Sequence, residues 1–197
     1  MNPYLAFGLA MCAILFLALA GTSYLAVYFN RKAKEDLEAA LTPLAEVIEG
    51  EIDLEEASLS GQYRGHLTSA KVSTLPGGMG RVFLISLIDG AGGDPWQWTL
   101  TRSKEPGGDP SGAFDIEPEP DGLRDAAGSE LEAMITDPAL AEAWFRVAYD
   151  PAAGYVRLTR PMRNRRDIPS AGSFRHLLDA LYAIAASNRA AQGPRPA

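Results

Sequence analysis

The chain has 197 residues and a formal net charge of −7, a length that suits one ordinary domain with an anchoring segment but not two well-packed domains beside it. Its only charged side chains before Glu35 are Arg31, Lys32 and Lys34, which leaves 15 basic and 25 acidic side chains in residues 35–197. Nonspecific nucleic-acid binding needs basic surface to displace counterions, so this acidic balance predicts that nucleic acid is not a partner.

The first element is an apolar run, residues 5–29, without a charged side chain. As a helix rising about 1.5 Å per residue it reaches roughly 37 Å, against about 30 Å of bilayer hydrocarbon, and we predict a transmembrane anchor over residues 1–30. The run also holds the single cysteine, Cys12. The rest of the chain can therefore form neither a disulfide nor a thiolate metal site, as is common in a reducing compartment.

A cleaved signal peptide is the alternative to an anchor. Ala18, Leu19 and Ala20 have the small-x-small form that signal peptidase accepts, and cleavage there would leave Gly21 as the first residue of an exported protein. Signal peptides, however, combine a basic leading segment with a shorter apolar run of about 7–15 residues. The long run and the absence of a leading basic side chain favour the uncleaved anchor.

The charges beside the span predict its orientation. Arg31, Lys32 and Lys34 follow it directly and no basic side chain precedes it. Because basic residues mark the cytoplasmic side of a span, we expect a single-pass protein of the inner (plasma) membrane, with its amino terminus outside and its C-terminal domain in the cytoplasm. The aromatic residues expected at the two membrane interfaces are Tyr4, Tyr24 and Tyr28.

Residues 31–50 predict two juxtamembrane helices, because leucine and isoleucine recur there at helical spacing. Thr42 can cap a helix and Pro43 suits a first helical position. We therefore expect the first helix to end near Leu41 and the second to end at Gly50.

The next segment changes to a period of two with glycine-rich turns, which is typical of antiparallel strands joined by hairpins. Arg64 and Gly65 predict a tight hairpin, and the run at 81–88 is apolar on both faces, which predicts a central strand. Residues 103–128 form a Gly/Pro-rich acidic loop, expected to be flexible apart from a short strand at 114–116. The predicted strands are residues 51–54, 58–64, 66–74, 81–88 and 96–102.

The last third returns to mixed structure. A capping box at Ser129 opens a helix, and Asp137 and Pro138 restart one that reaches about Trp144. A hairpin with strands at 145–149 and 155–160 follows. Ser173 caps the strongest helical pattern in this part of the chain. We predict an α+β domain over residues 51–191, an antiparallel sheet with helices covering one face, and a disordered tail over residues 192–197.

The residues that carry chemistry form no recognisable catalytic or metal-binding pattern. The glycines at 77–80 are followed by a strand rather than a helix, which favours a hairpin turn over a phosphate loop. The acidic segment 109–121 lacks EF-hand spacing. His66 and His176, the only histidines, lie far apart in the sequence and lack a nucleophile motif beside them. We therefore predict no catalytic residue, no metal and no cofactor.

Two groups of residues are candidate contact surfaces. Trp96 and Trp98 share one face of a predicted strand and are a candidate binding surface. Five arginines within ten residues could contact anionic lipid or a partner, or could form a solvated loop that pairs with the acidic segment, and the sequence leaves both interpretations open. These arginines are Arg157, Arg160, Arg163, Arg165 and Arg166.

The hairpin segment Leu59-Ser60-Gly61-Gln62-Tyr63-Arg64-Gly65-His66 has the pattern L-x-G-x-Y-x-G-[RH]. It follows the predicted anchor and helix, and a later hairpin and an apolar C-terminal helix follow it. In this layout the chain resembles a loose set of uncharacterised bacterial single-span membrane proteins. The resemblance implies an anchored cytosolic α+β domain and supplies no catalytic residue.

These observations predict a membrane-anchored chain whose cytosolic domain is a protein-interaction or scaffold module, plausibly a subunit of a membrane complex. The expected partners are the lipid bilayer and another membrane or cytosolic protein. The alternatives are an exported domain, a module that binds lipid or a small ligand, and an enzyme, which the absence of a nominated site disfavours.

Overall fold

The structure is a computed structural model that describes residues 3–75, 80–100, 114–117 and 145–192. The chain divides into two compact units, Met1–Ala39 and Ala40–Ala197. The first helix, α1, crosses this division. In chain order the elements are α1 (Pro3–Val47), β1 (Glu51–Asp53), β2 (Ser58–Tyr63), β3 (His66–Thr74), β4 (Arg81–Ile88), β5 (Trp96–Leu100), β6 (Phe114–Glu117), β7 (Phe145–Asp150), β8 (Tyr155–Met162), a 3-10 helix (Arg165–Asp167) and α2 (Ala171–Gln192).

The first unit contains the apolar part of α1 and the charged residues that follow it. Its large apolar side chains are exposed along the whole run; Phe16, for example, is 76% exposed. This helix near the amino terminus is long and apolar enough to cross a membrane by length and composition. The predicted helix is therefore confirmed.

The predicted break at Thr42 and Pro43 is wrong, because α1 continues to Val47 with Pro43 inside it. A proline removes one main-chain hydrogen bond from a helix interior. Here Leu41, Leu44, Ala45 and Ile48 are all buried in the second unit. Burial of these side chains stabilises the continuous helix by more than the lost hydrogen bond costs.

The second unit is an α+β domain, as predicted. Among the described residues, eight strands form one antiparallel sheet in the order β1-β2-β3-β4-β8-β7-β5-β6. The β7–β8 hairpin therefore lies between β4 and β5, which are consecutive in the chain. β4 pairs with β3 on one side and β8 on the other, which confirms the predicted central strand.

The two faces of the sheet differ in burial. On the face that packs against α2, Phe83, Ile85 and Leu87 of β4 are buried, and the Phe83 ring meets the Phe174 ring of α2 edge to face at 6.4 Å between centroids. Because side chains alternate along a strand, Ser86 and Ile88 point to the opposite face. We call that opposite side the open face.

The strand predictions agree closely with the structure; several element ends differ by a residue or two, and the largest differences are at three of them. β5 ends at Leu100 within the described residues, β8 extends to Met162, and α2 begins at Ala171 rather than at Ser173. The predicted helical segment from Ser129 to Trp144, most of the acidic loop and the tail lie outside the described residues.

Candidate functional site

The Arg64–Gly65 turn brings β2 and β3 together as a two-residue hairpin, as predicted. Tyr63 pairs with His66, and both turn residues have positive φ, 50° for Arg64 and 81° for Gly65. Positive φ at both turn residues matches the twist of the two strands. Glycine adopts positive φ without steric cost, whereas most other residues are strained by it.

Gly61, at the third position of the hairpin motif, lets β2 approach the end of α1. The Gln62 N–H donates to the Ile48 carbonyl at 2.7 Å. A Cβ atom on Gly61 would lie 2.6 Å from the Gly50 Cα and closer still to the Ile48 carbonyl oxygen. Only glycine fits this close backbone crossing.

Tyr63 and Arg64 connect the hairpin to α2 through Asp179. The Tyr63 hydroxyl donates to Asp179 Oδ1 at 2.7 Å, and Arg64 Nη2 lies 2.7 Å from the same oxygen. The Arg64 guanidinium also lies 5.2 Å from the centre of the Tyr182 ring. Burial raises the pKa of the Tyr63 hydroxyl, and its bond to the Asp179 carboxylate raises it further.

His66 completes this contact surface. Its ring meets the Tyr182 ring edge to face at 5.3 Å, and its Nδ1 lies 3.2 Å from the Ile88 carbonyl oxygen. The hairpin motif thus joins the end of α1, the first two long strands and α2. Its described contacts are those of a packing motif.

A buried polar cluster joins the end of α2 to the loop after β4. Asp89 is buried, and its Oδ2 accepts a hydrogen bond from Asn188 Nδ2. Its Oδ1 forms an ion pair with Arg189 Nη1 at 3.0 Å. The Trp96 indole N–H donates to Asn188 Oδ1 at 2.8 Å. Burial raises the pKa of the Asp89 carboxyl, while the Asn188 hydrogen bond and the Arg189 charge oppose the shift.

The sequence analysis missed this cluster. Asp89 directly follows the central strand, and Asn188 and Arg189 are adjacent polar residues late in an apolar helix. These positions could have suggested a buried pair. The pairing itself spans about a hundred residues and depends on where α2 ends over the sheet, which no local pattern gives.

Within the part of the chain that the structure describes, no set of side chains combines a nucleophile, a base and an orienting group. Among the described residues, no group of three or more His, Cys, Asp and Glu could hold a metal ion. His66 is engaged with the Tyr182 ring and the Ile88 carbonyl, while His176 lies exposed on α2. The expectation of a non-catalytic chain without metal or cofactor stays a prediction.

Trp96 does not contribute to the expected binding surface. Trp96 is only 2% exposed and packs against the Tyr149 ring at 6.0 Å. The expectation that Trp96 lies on the surface is therefore wrong, because its strand position faces the side of the sheet that α2 covers. The side chain of Trp98 lies outside the described residues.

The five arginines lie in three places. Arg157 is on the open face, where its Nε donates to Ser86 Oγ at 3.0 Å and its guanidinium lies 4.1 Å from the Tyr155 ring centre. Arg160 points to the other face and is buried. The five arginines therefore do not lie on one surface, because alternation along β8 puts Arg157 and Arg160 on opposite faces of the sheet. The remaining three, Arg163, Arg165 and Arg166, are exposed in the turn after β8.

The residues predicted to flank the membrane are all exposed on α1. Arg31 pairs with Glu35 at 2.8 Å and Lys32 approaches Asp36 at 4.0 Å, both one helical turn apart. Exposed pairs of this kind contribute little to stability. The flanking residues are Tyr4, Tyr24, Tyr28, Arg31, Lys32 and Lys34.

The open face carries a shallow concavity of about 780 Å³ beside the β1 edge. Most of its lining is small or polar, but Leu67 is 60% exposed and Ile88 is 42% exposed. The sequence analysis did not single out these two residues. The residues that line it from β2, β3 and β4 include Ser60, Gln62, Leu67, Ser69, Ser86 and Ile88.

Comparison of the chain with protein-family models, with curated proteins and with solved structures finds no match. The resemblance to bacterial single-span proteins stays a prediction. Function is therefore argued from this chain's own residues.

Proposed function

We propose that the chain is a single-pass protein of the inner membrane whose amino terminus lies outside and whose α+β domain binds a partner protein in the cytoplasm. The observation that carries the proposal is the exposed apolar surface of α1 between Tyr4 and Phe29, followed at once by basic side chains. Exposed apolar surface of this extent is costly in water and is matched by a bilayer. The basic residues after it favour a cytoplasmic carboxyl side.

The shape of the open face supports protein binding over small-molecule chemistry. Small-molecule sites are concave and enclose most of their ligand, whereas this concavity is shallow and open to solvent. Its lining combines the exposed apolar side chains of Leu67 and Ile88 with serine, glutamine and glutamate side chains. Apolar contacts together with polar ones are the common composition of a protein interface.

The orientation is tested on the full chain with a carboxyl-terminal tag in cells stripped of their outer barrier. We expect the tag to resist added protease until detergent opens the membrane. A variant with R31Q, K32Q and K34Q should place part of the molecules the other way round, because the charge that fixes the orientation is gone. If the added protease removed the tag before detergent was present, the domain would be exported. A mature chain that begins at Gly21 would show the same.

Binding at the open face is tested by site-specific photocrosslinking in intact cells. A photoreactive residue at Leu67 or Ser69 should give a discrete adduct with one protein, while the same residue at the exposed turn position Glu55 should not. Leu67→Arg should lower the adduct yield from position 69 about tenfold, as expected when a central apolar contact is lost. Equal adducts at positions 55 and 69, or no adduct at either open-face position, would contradict the proposal.

A further inference from the structure

The β1 edge of the open-face concavity is acidic. Glu51 of β1 pairs in register with Ser60, and residues paired across neighbouring strands point to the same side of a sheet, so both side chains lie on the open face. Glu49, in the turn between α1 and β1, lines the same edge. Both glutamate residues are exposed. A segment that enters the concavity beside β1 therefore meets two carboxylates.

The fold leaves both carboxylates available. Among the described residues, the side chains of Glu49 and Glu51 have neither a hydrogen bond nor an ion pair. Glu49 also has a positive φ of 49° shortly after α1 ends, where helices commonly place glycine because other residues are strained there. The described contacts thus give neither carboxylate a role in stabilising the domain, and glycine should be well tolerated at position 49.

The described basic side chains of the open face do not neutralise this edge. Lys71 of β3 pairs with Glu56 of the β1–β2 turn at 2.9 Å. Arg157 on β8 lies four strands from β1, and Arg146 on β7 lies five strands from it, which is roughly 19 Å and 24 Å at the usual strand spacing. The acidic edge is therefore open to a cation that a partner brings.

Exposed apolar side chains lie within reach of the acidic edge. Leu67 of β3 and Ile88 of β4 flank the register pair Thr68–Leu87, so they are neighbours on the open face. β3 is two strands from β1, roughly 10 Å at the usual strand spacing, a distance that about three residues of extended chain cover. One short segment can therefore place one side chain against Leu67 and Ile88 and another at the carboxylates.

We propose that the concavity binds a segment of the partner protein in which a lysine or arginine lies within about three residues of an apolar side chain. The basic group pairs with Glu49 and Glu51, and the apolar side chain covers Leu67 and Ile88. Opposite charges favour association and like charges disfavour it, so an acidic segment is excluded. The inference rests on the proposed function for the location of the site and adds the chemistry of its occupant.

The test begins with random peptides displayed on phage. They are selected on the full chain in phosphatidylcholine nanodiscs, after empty nanodiscs have removed the peptides that bind lipid. The selected peptides should be enriched at least about threefold in lysine or arginine near an apolar residue, and depleted of aspartate and glutamate. Their affinity for the chain should fall at least about threefold in roughly 0.5 M NaCl, because salt screens exposed charge pairs.

Two charge-matched variants isolate the carboxylates. E49G with E51Q removes both from the concavity, and the selected peptides should bind it at least about fivefold more weakly. E49Q with E51Q keeps the side-chain shapes and should show the same loss. E55Q with D94N removes two exposed carboxylates elsewhere in the domain and should bind the peptides like the unmodified chain. The urea unfolding midpoint of the E49G and E51Q variant should equal or exceed that of the unmodified chain, which separates lost binding from lost folding.

Selection of acidic peptides, equal affinity for the variants that lack both carboxylates, or no selected peptide at all would overturn the inference. In cells, E49Q with E51Q should also lower the photocrosslinked adduct from position 69 at least about fivefold. An adduct that these substitutions leave unchanged would refute the basic partner segment, while protein binding at the open face would stand. Absence of any adduct from positions 67 and 69 would instead overturn the proposed function, and this inference with it.

Discussion

Replacing Gly61 by alanine should destabilise the α+β domain by about 3 kcal/mol, a large effect for one added methyl group. The new Cβ would lie 2.6 Å from the Gly50 Cα and would also meet the Ile48 carbonyl oxygen. Both are main-chain atoms at the junction of α1 and β2, so neither can move aside as a flexible side chain can. The strand must shift away, and the Gln62 hydrogen bond to Ile48 is then lost.

Urea unfolding of the full chain in detergent, followed by tryptophan fluorescence, measures this loss. Buried Trp96 makes the signal sensitive to the core. Gly172→Ala is the matched control, because the nearest atom to its added Cβ is the Ser170 Oγ at 4.0 Å. It adds the same methyl group in the first turn of α2 and should leave the unfolding midpoint within experimental error or raise it. Equal midpoints for the G61A and G172A variants would refute the tight crossing.

Replacing Arg189 by methionine should destabilise the domain by about 2 kcal/mol near neutral pH. The side chain of Asp89 is fully buried, and Arg189 supplies its opposite charge at 3.0 Å. Removing one partner of a buried pair usually costs about 3–5 kcal/mol, and the 31% exposure of the Arg189 side chain places this pair below that range. Arg175→Met, on an exposed position of the same helix, is the control and should change stability much less.

The loss from Arg189→Met should shrink as the pH falls. Burial raises the folded-state pKa of Asp89, so the ionised carboxylate is the form that costs folding free energy, and this cost grows as the pH rises through the raised pKa. Without Arg189 one of the influences that lower this pKa is gone, and the pKa rises further. Protonation then removes the unpaired buried charge at mildly acidic pH.

A second variant separates charge from packing. Combining D89N with R189M removes both charges and keeps a side chain that can bond to Asn188. The double variant should be more stable than the R189M variant near neutral pH, and the two should converge at low pH. A loss from R189M that is independent of pH, or no rescue by D89N, would mean that Arg189 acts through its packing alone.

Local chemistry allowed the hairpins and the central strand to be predicted. Arg64 and Gly65 fit a turn that needs positive φ, and the apolar run of β4 suits a strand with β3 on one side and β8 on the other. The turn residues and the apolar run can both be read from consecutive residues. The packing of Tyr63 on Asp179 depends on a partner more than a hundred residues away, and it could not be read from the hairpin alone.

Two wrong predictions share one physical cause. Pro43 is locally a helix breaker, but burial of Leu41 and Ile48 on either side of it keeps α1 continuous. Trp96 is correctly assigned to a strand, but the alternation of side chains along that strand does not say which face of the sheet a later helix will cover. In both cases tertiary burial decided the outcome, and the pattern of a single segment does not contain that information.

The place of the β7–β8 hairpin between β4 and β5 has a consequence during synthesis. The ribosome delivers β1 to β4 well before residues 145–162 exist, so β4 emerges without the neighbour that completes its ladder. Phe83, Ile85 and Leu87 stay uncovered until α2, the last element, has been synthesised. An open strand edge and uncovered apolar side chains attract chaperones and promote aggregation. A chain truncated before β7 should therefore be a chaperone client or a degradation substrate rather than a smaller folded domain.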